Sequence, residues 1–409
     1  MQAGQLRCGR ALGAVEFRDV VRTMALEHHK WDAQVGDVCA LAPFPIVLSR
    51  ATWGDLARLA GALAAETSAV ENELVHRPDL HAVLGITNEL APTVRRLTHG
   101  ATPAASRIMR FDFHPTRDGW RVSEVNSDVP GGFTEASHFT SLVAGHTGEG
   151  VPTGDPAARW VDGIARCVQP RGTVVLLCAP GWVQDAQVVA HLAARFRQRG
   201  LTAHAASPHQ LRWHDGAARV DADGASAHVD AIVRFYQAEW IARLPCRWQP
   251  LFVGGRTPVT NPACAVFTES KRLPLVWHEL DADTTTWRRL LAESRDPRDS
   301  PKLLRGDWVL KPAFGNEGDD VAVASAMSRV EWTRHALRAL FRPRRWIAQR
   351  RFRPVPVDTP LGPMNVCIGV YVVDGQVAGA YGRLARSAVV DFAAIDVPVL
   401  VENEPKKAD

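Results

Sequence analysis

The chain has 409 residues, 46% hydrophobic and 22% charged, a composition that excludes a disordered or fibrous protein and fits a soluble globular enzyme of one large or several modest domains. Its 48 Lys plus Arg against 44 Asp plus Glu leave a formal charge of +4, spread along the chain except for a short Arg342 to Arg353 cluster. Nothing in that distribution calls for a nucleic acid partner.

From Glu16 to about Leu97 the pattern is helical. Apolar residues recur at three and four between Trp53 and Glu66, which predicts an amphipathic helix with Thr52 as its cap. From Arg107 the period changes to two. Arg107 to His114 and Trp120 to Asn126 alternate on either side of Asp118-Gly119, which reads as a hairpin, and Val129 to Phe133 reads as a tight turn. A second unit opens near Arg171. Gly172 to Gly181 carries a buried strand, Asp185 to Arg199 forms an amphipathic helix closed by Gly200, and a further strand starts at Leu201. This βαβ pattern predicts an open α/β domain. Leu291 to Pro301, polar with two Pro, reads as a flexible connection. Gly306 to Val323 predicts a strand, a glycine-bearing turn and a short strand. Trp346 to Arg383 predicts three strands, with a hairpin turn at Asp374-Gly375.

The seven Cys are scattered, odd in number and never spaced Cys-x-x-Cys, which argues against a disulfide framework or zinc knuckle and predicts mostly buried thiols in a reducing compartment. No apolar run approaches the ~18 residues of a membrane span, and the N-terminal stretch lacks the apolar core of a signal peptide, so no membrane partner and a cytoplasmic location are expected. The P-loop, the Gly-x-Gly-x-x-Gly dinucleotide fingerprint, the Gly-x-Ser-x-Gly elbow and His-Glu-x-x-His are all absent.

The residues able to carry chemistry fall in four places. In Arg110-Phe-Asp112 and Glu124-Val-Asn126, residues two apart share a strand face, and an even hairpin register would bring all four together. Two carboxylates and an amide oxygen suit Mg²⁺, with phosphates and waters completing the shell and Arg110 beside them; the same face also reads as a solvated mixture of charges. In Trp308 to Gly318, Lys311 ends an apolar strand before a turn with Gly315 and Gly318, an arrangement that can aim an ammonium at nucleotide phosphates. It also fits a strand ended in Lys for solubility. Lys271 opens a helical run and, alone, reads as a surface residue. Arg383 ends a nearly uncharged strand and needs a phosphate or carboxylate partner if buried. The basic residues add one pointer: only six are Lys, leaving 42 Arg. Two of the six lie in the tail and two are Lys271 and Lys311, while Lys30 and Lys302 have no role legible in the sequence.

In their order along the chain, Arg110-x-Asp112, Glu124-x-Asn126, Ser270-Lys271, Val309-Leu-Lys311-Pro, Gly315-x-x-Gly318 and Val373-Asp-Gly-x-x-Ala-Gly-x-x-x-Arg383 resemble the synthetase domain of glutathionylspermidine synthases, an ATP-grasp family of carboxylate-amine ligases. The resemblance runs from about Glu16 to Val401. It implies an α/β (α+β) chain with an ATP-grasp fold of permuted element order, a pre-ATP-grasp Rossmann-like α/β domain and a helical N-terminal region. The segments would be 1–100, helical; 101–165, the metal-binding hairpin; 166–262, the α/β domain; and 263–409, the nucleotide-binding part. By the same resemblance Asp112, Glu124 and Asn126 hold Mg²⁺, Lys271 and Lys311 contact ATP phosphates, and Arg110 and Arg383 stabilise the transferred phosphoryl group. Gly315 to Gly318 is the lid, and Gln349 lies beside the adenine. The partners implied are a small-molecule carboxylate and an amine, joined through an acyl phosphate. Asn316, where the family commonly has Arg, and Leu384-Ala385, where it has Glu-Asp, depart from the pattern. They leave open amino acid or peptide substrates on the same scaffold, or a degenerate ATP-binding protein without ligase activity.

Overall fold

The computed structural model describes residues 6–35, 38–99, 106–222, 224–241, 244–300, 302–304, 307–315, 321–387, 390 and 393–404. The N-terminal region is less helical than its periodicity predicts. Leu6–Cys8 and Ile46–Leu48 are strands, joined in one small sheet with Val399–Val401 and Val151–Pro152. Their partners lie at the far end of the chain, Ile46 opposite Val399, so local periodicity carries no trace of the pairing. The main helix, α1 (Arg50–Val75), is capped by Ser49, whose Oγ accepts the Thr52 N–H at 3.1 Å. The expected cap, Thr52, lies inside the first turn because the extended backbone that a cap requires falls at Ser49.

Strands β1 (Ile108–Thr116) and β2 (Gly119–Asn126) form the predicted hairpin. All nine residues of β1 are buried, although its sequence alternates, because both faces of the strand are covered. Met109, Phe111 and Phe113 face α1 and pack with Leu56, Leu59 and Leu63, each such side chain stabilising by about 1.5–3 kcal/mol on burial. Arg110 and Asp112 project to the opposite face.

The βαβ prediction holds. Strand β3 (Thr173–Cys178), α2 (Val183–Gln198), β4 (Thr202–Ala206), β5 (Ala231–Phe235) and β6 (Val259–Thr260) build a four-stranded parallel sheet in the order β6-β5-β3-β4. A small antiparallel sheet follows. Strands β7 (Ser294–Arg295), β8 (Trp308–Pro312), β9 (Ala322–Val323) and β10 (Trp346–Arg350) lie in the order β7-β10-β8-β9. Within the predicted connection, residues 291–300 are therefore not loose, and Pro301 lies outside the described residues. Ser294 pairs with Gln349, and the buried Asp296 carboxylate receives Arg272 Nη2 at 3.0 Å.

The chain then returns to the first sheet. Strands β11 (Gly362–Val373), β12 (Gln376–Ala385) and β13 (Ile395–Val397) complete the order β13-β12-β11-β1-β2, with Val357–Thr359 pairing to β11. This region holds one strand more than predicted. The sheet thus unites the hairpin of segment 101–165 with the C-terminal strands. The thiols are also less buried than expected: Cys367 is buried, Cys8, Cys39, Cys178 and Cys264 are half-buried, Cys167 is exposed, and none of these six forms a disulfide. No helix among the described residues is long and apolar enough to cross a membrane.

Candidate active site

The hairpin register is even, as the convergence of its four polar residues requires. Arg110 lies opposite Asn126 and Asp112 opposite Glu124. Arg110 Nε and Nη2 donate to the two Asp112 oxygens at 2.7 and 3.0 Å, both residues 6% exposed, while Nη1 donates to the Gly131 carbonyl at 3.1 Å. Asn126 Nδ2 donates to Asp112 Oδ2 at 3.2 Å. A buried pair of this kind depends on complete hydrogen bonding, and the fork geometry supplies it.

The surroundings fix Arg110 from three further sides. Tyr381 on β12 lies under the guanidinium, 5.3 Å from ring centre to Cζ, and the Tyr371 hydroxyl donates to the same Gly131 carbonyl at 2.5 Å. Gly369 on β11 sits opposite Asp112, and a Cβ there would fall 2.8 Å from Arg110 Cδ. The side chain crosses β11 only because that position is glycine.

A bulge follows Asp112, since Phe113 pairs with Val122 and leaves Ser123 unpaired. It turns the Ser123 carbonyl toward the small sheet, where Lys311 Nζ donates to it at 3.0 Å. On β8, Trp308 and Leu310 enter the core below the sheet, while Val309 and Lys311 line a cleft with Gln349 of β10. Burial drives the Lys311 ammonium down to about 8 despite the attraction of Glu124. Lys271 lies 3.6 Å from Glu124 and donates to the Gly315 carbonyl at 2.6 Å. Burial opposes ionisation of Glu124, but the Lys271 and Lys311 charges outweigh it and hold its carboxyl below the usual range. Lys271 does not open a helix. It follows the short helix Val266–Glu269 and is tied by its own N–H to the Ala313 carbonyl at 2.9 Å.

Asp112, Glu124, Lys271, Lys311, Gly315, Gln349 and Arg383 all border this cleft of about 990 Å³, open to solvent. A second cleft, of about 1160 Å³, adjoins it and shares Glu124 and Arg383, with Arg110 and Asn126 in its own wall. Gln349 also donates to Ser294 Oγ at 3.2 Å. Of the expected site residues, Gly318 lies outside the described residues, as does Asn316; the structure brings the others together.

The donor set fits a hard divalent cation. Asp112 and Glu124 share a face and a cleft, Asn126 donates its amide nitrogen to Asp112 and so keeps its amide oxygen for a ligand role, and the Asp112 oxygens, which also accept from Arg110, retain lone pairs for a cation. No group of three or more His, Cys, Asp or Glu among the described residues is placed to hold a metal, so phosphate oxygens and water would have to complete such a shell.

Sequence reasoning missed the support behind this face. Asp128 forms a buried ion pair with Arg234 on β5 and accepts the Ala238 N–H at 2.7 Å. Glu269 accepts the Ser127 and Asp128 N–H groups at 2.5 and 2.7 Å, and burial with the neighbouring Asp128 charge pushes its carboxyl up to about 8. In the sequence Asp128 lies two residues after Asn126 and Glu269 two before Lys271, but their partners lie on distant elements.

A sheet carrying an acid-and-amide hairpin, faced across a cleft by a small sheet that presents Lys311 and by Lys271 beside it, defines an ATP-grasp superfamily ligase fold. The sequence matches the family model for the glutathionylspermidine synthase preATP-grasp over residues 48–402, and the chain belongs to that family. Among solved structures it is similar to a glutathione synthetase-like effector from Globodera pallida in apo form, with a TM-score of 0.61 and 12% identity over 94% of this chain and 97% of that one. A putative gamma-glutamylcysteine synthetase from Methylobacillus flagellatus KT is more distant, with a TM-score of 0.40 and 14% identity over 79% and 84% of the two chains. No curated protein sequence matches.

Proposed function

We propose that the protein is an ATP- and Mg²⁺-dependent carboxylate-amine ligase that forms an amide through an acyl phosphate, releasing ADP and phosphate. The observation that carries this reading is the convergence of Arg110, Asp112, Glu124, Asn126, Lys271, Lys311 and Arg383 around two adjoining clefts. The first cleft takes the nucleotide, with Lys271 and Lys311 on its phosphates and Gln349 toward its base. The second takes the carboxylate and the amine.

The chemistry brings two anions together, a carboxylate and the γ-phosphate, so it needs fixed positive charge at the point of transfer. Arg383 in the wall between the two clefts and Arg110 in the second cleft supply it. The Arg110 guanidinium is already oriented by Asp112, Gly131 and Tyr381, so little reorganisation is spent at the transition state. Bound Mg²⁺, held by Asp112, Glu124 and Asn126, would neutralise phosphate charge and act as a Lewis acid on the transferred group. No protein nucleophile is required.

The test is ADP release over a panel of carboxylates and amines, where turnover must require both substrates. Lys311→Ala or Asp112→Ala is expected to cost about 3 kcal/mol of barrier, near a hundredfold in rate. Full activity in either variant, or ADP release indifferent to the amine, refutes the assignment.

A further inference from the structure

Lys30, without a role in the sequence, lies in the wall of the second cleft. It is 4% exposed, and its Nζ is 2.5 Å from Glu135, 2.9 Å from Asp32 and 3.2 Å from Asp396. An ammonium has three N–H donors, and here three carboxylates meet it. The loop that carries it is pinned to α2, because Gln187 Oε1 accepts the Trp31 N–H at 3.0 Å. The cation is therefore a built part of the cleft and not a surface chain that has fallen into it.

We propose that Lys30 is a specificity residue: it fills the acidic centre of the second cleft with an internal ammonium, so the cleft rejects polyamines and takes an amine whose charge its own carboxylate balances, such as an amino acid or short peptide. The inference rests on the ligase reading for what the cleft does, but the charge argument stands on the cleft itself. Asp32, Glu135 and Asp396 are set against Lys30 and against Arg383, which lies opposite Asp396 in the sheet. With Arg110, Glu124 and Asp185 of the same lining counted as well, five carboxylates face three cations, and the two net negative charges left are too few for a chain of three or four ammoniums. The rest of the lining includes Gln184, Gln187 and Gln237, amides that can pair with a peptide-like substrate without adding charge.

Titration of the full chain with spermidine, in the presence of Mg²⁺ and a non-hydrolysable ATP analogue, tests this by calorimetry. Lys30→Met exposes the three carboxylates and is expected to bind spermidine roughly tenfold or more tighter than the unaltered protein. Lys30→Met combined with Glu135→Gln, which removes a cation and an anion together, is expected to return the affinity toward the starting value. It also relieves the uncompensated charge if the single variant fails to fold. Equal spermidine affinity in the unaltered protein and Lys30→Met, or binding in neither, overturns the proposal. So does tight spermidine binding by the unaltered protein, a result readable even if no variant folds. Because these arms read binding alone, they fail separately from the ligase assignment, whose failure shows as absent amine-dependent ADP release.

Discussion

Nucleotide binding should be accompanied by proton uptake at Lys311. Burial holds this ammonium at about 8 in the free protein, so about half of the molecules carry the charge at pH 8. Phosphates entering the cleft favour the charged form and return the group toward the ordinary lysine value of about 10.4. The difference is an uptake of about 0.5 proton at pH 8, about 0.9 at pH 9 and under about 0.1 at pH 6.5. Calorimetric titration with Mg-ATP analogue in two buffers of different ionisation enthalpy measures it. Glu239 and Glu269, pushed up by burial to about 7 and about 8, titrate in the same range, so Lys311→Met is the necessary subtraction. The same group sets a stability slope. Its folded value is lower than its unfolded one, so the unfolded chain binds more protons between about 8 and 10.5. The cost of the buried ammonium is present in full below about pH 8 and is relieved as pH rises through that window, by roughly 3 kcal/mol in total. No uptake at pH 9, or the same uptake in Lys311→Met, refutes the assignment of Lys311 to the phosphates.

Gly369→Ala places a Cβ 2.8 Å from Arg110 Cδ and 3.0 Å from Tyr381 Cε1, so the guanidinium must move off Asp112. The expected result is about 1–3 kcal/mol lost in denaturant unfolding and a fall of about a hundredfold in ADP release; unchanged turnover shows that Arg110 tolerates displacement. Asp128→Ala leaves Arg234 buried without its carboxylate and should cost about 3–5 kcal/mol, read as a lowered Tm with and without nucleotide. Lys271→Arg keeps the charge but not the compact ammonium that reaches both Glu124 and the Gly315 carbonyl, and is expected to weaken nucleotide affinity; an unaltered Kd shows that charge alone suffices.

What could be read from the sequence follows the range of the interactions. The hairpin and the βαβ unit are written in residues next to one another, through alternation, Asp118-Gly119 and the helix closed by Gly200, whereas the hairpin's register stayed open until the fold set Arg110 opposite Asn126. Lys311 was visible because it ends a strand in a chain nearly devoid of Lys. The strand at Ile46–Leu48 and the strand at Ser294–Arg295 were not legible, because pairing with Val399–Val401 and Trp346–Arg350 turns ambiguous segments into sheet. Lys30 was invisible as a functional residue for the same reason: its three carboxylates stand at positions 32, 135 and 396 and meet only in the folded chain. Tyr371 and Tyr381 read as ordinary strand residues until the fold put Arg110 between β11 and β12.

Glu124 and Arg383 border both clefts. A ligand in either one alters the charge that the other meets, so occupation of the two clefts is linked thermodynamically and not merely by proximity. Linkage is reciprocal: on the proposed assignment of the clefts, whatever factor the nucleotide imposes on the affinity for the second substrate, that substrate imposes on the nucleotide. Two residues standing in a common wall thus make binding order and mutual affinity a single property of the site.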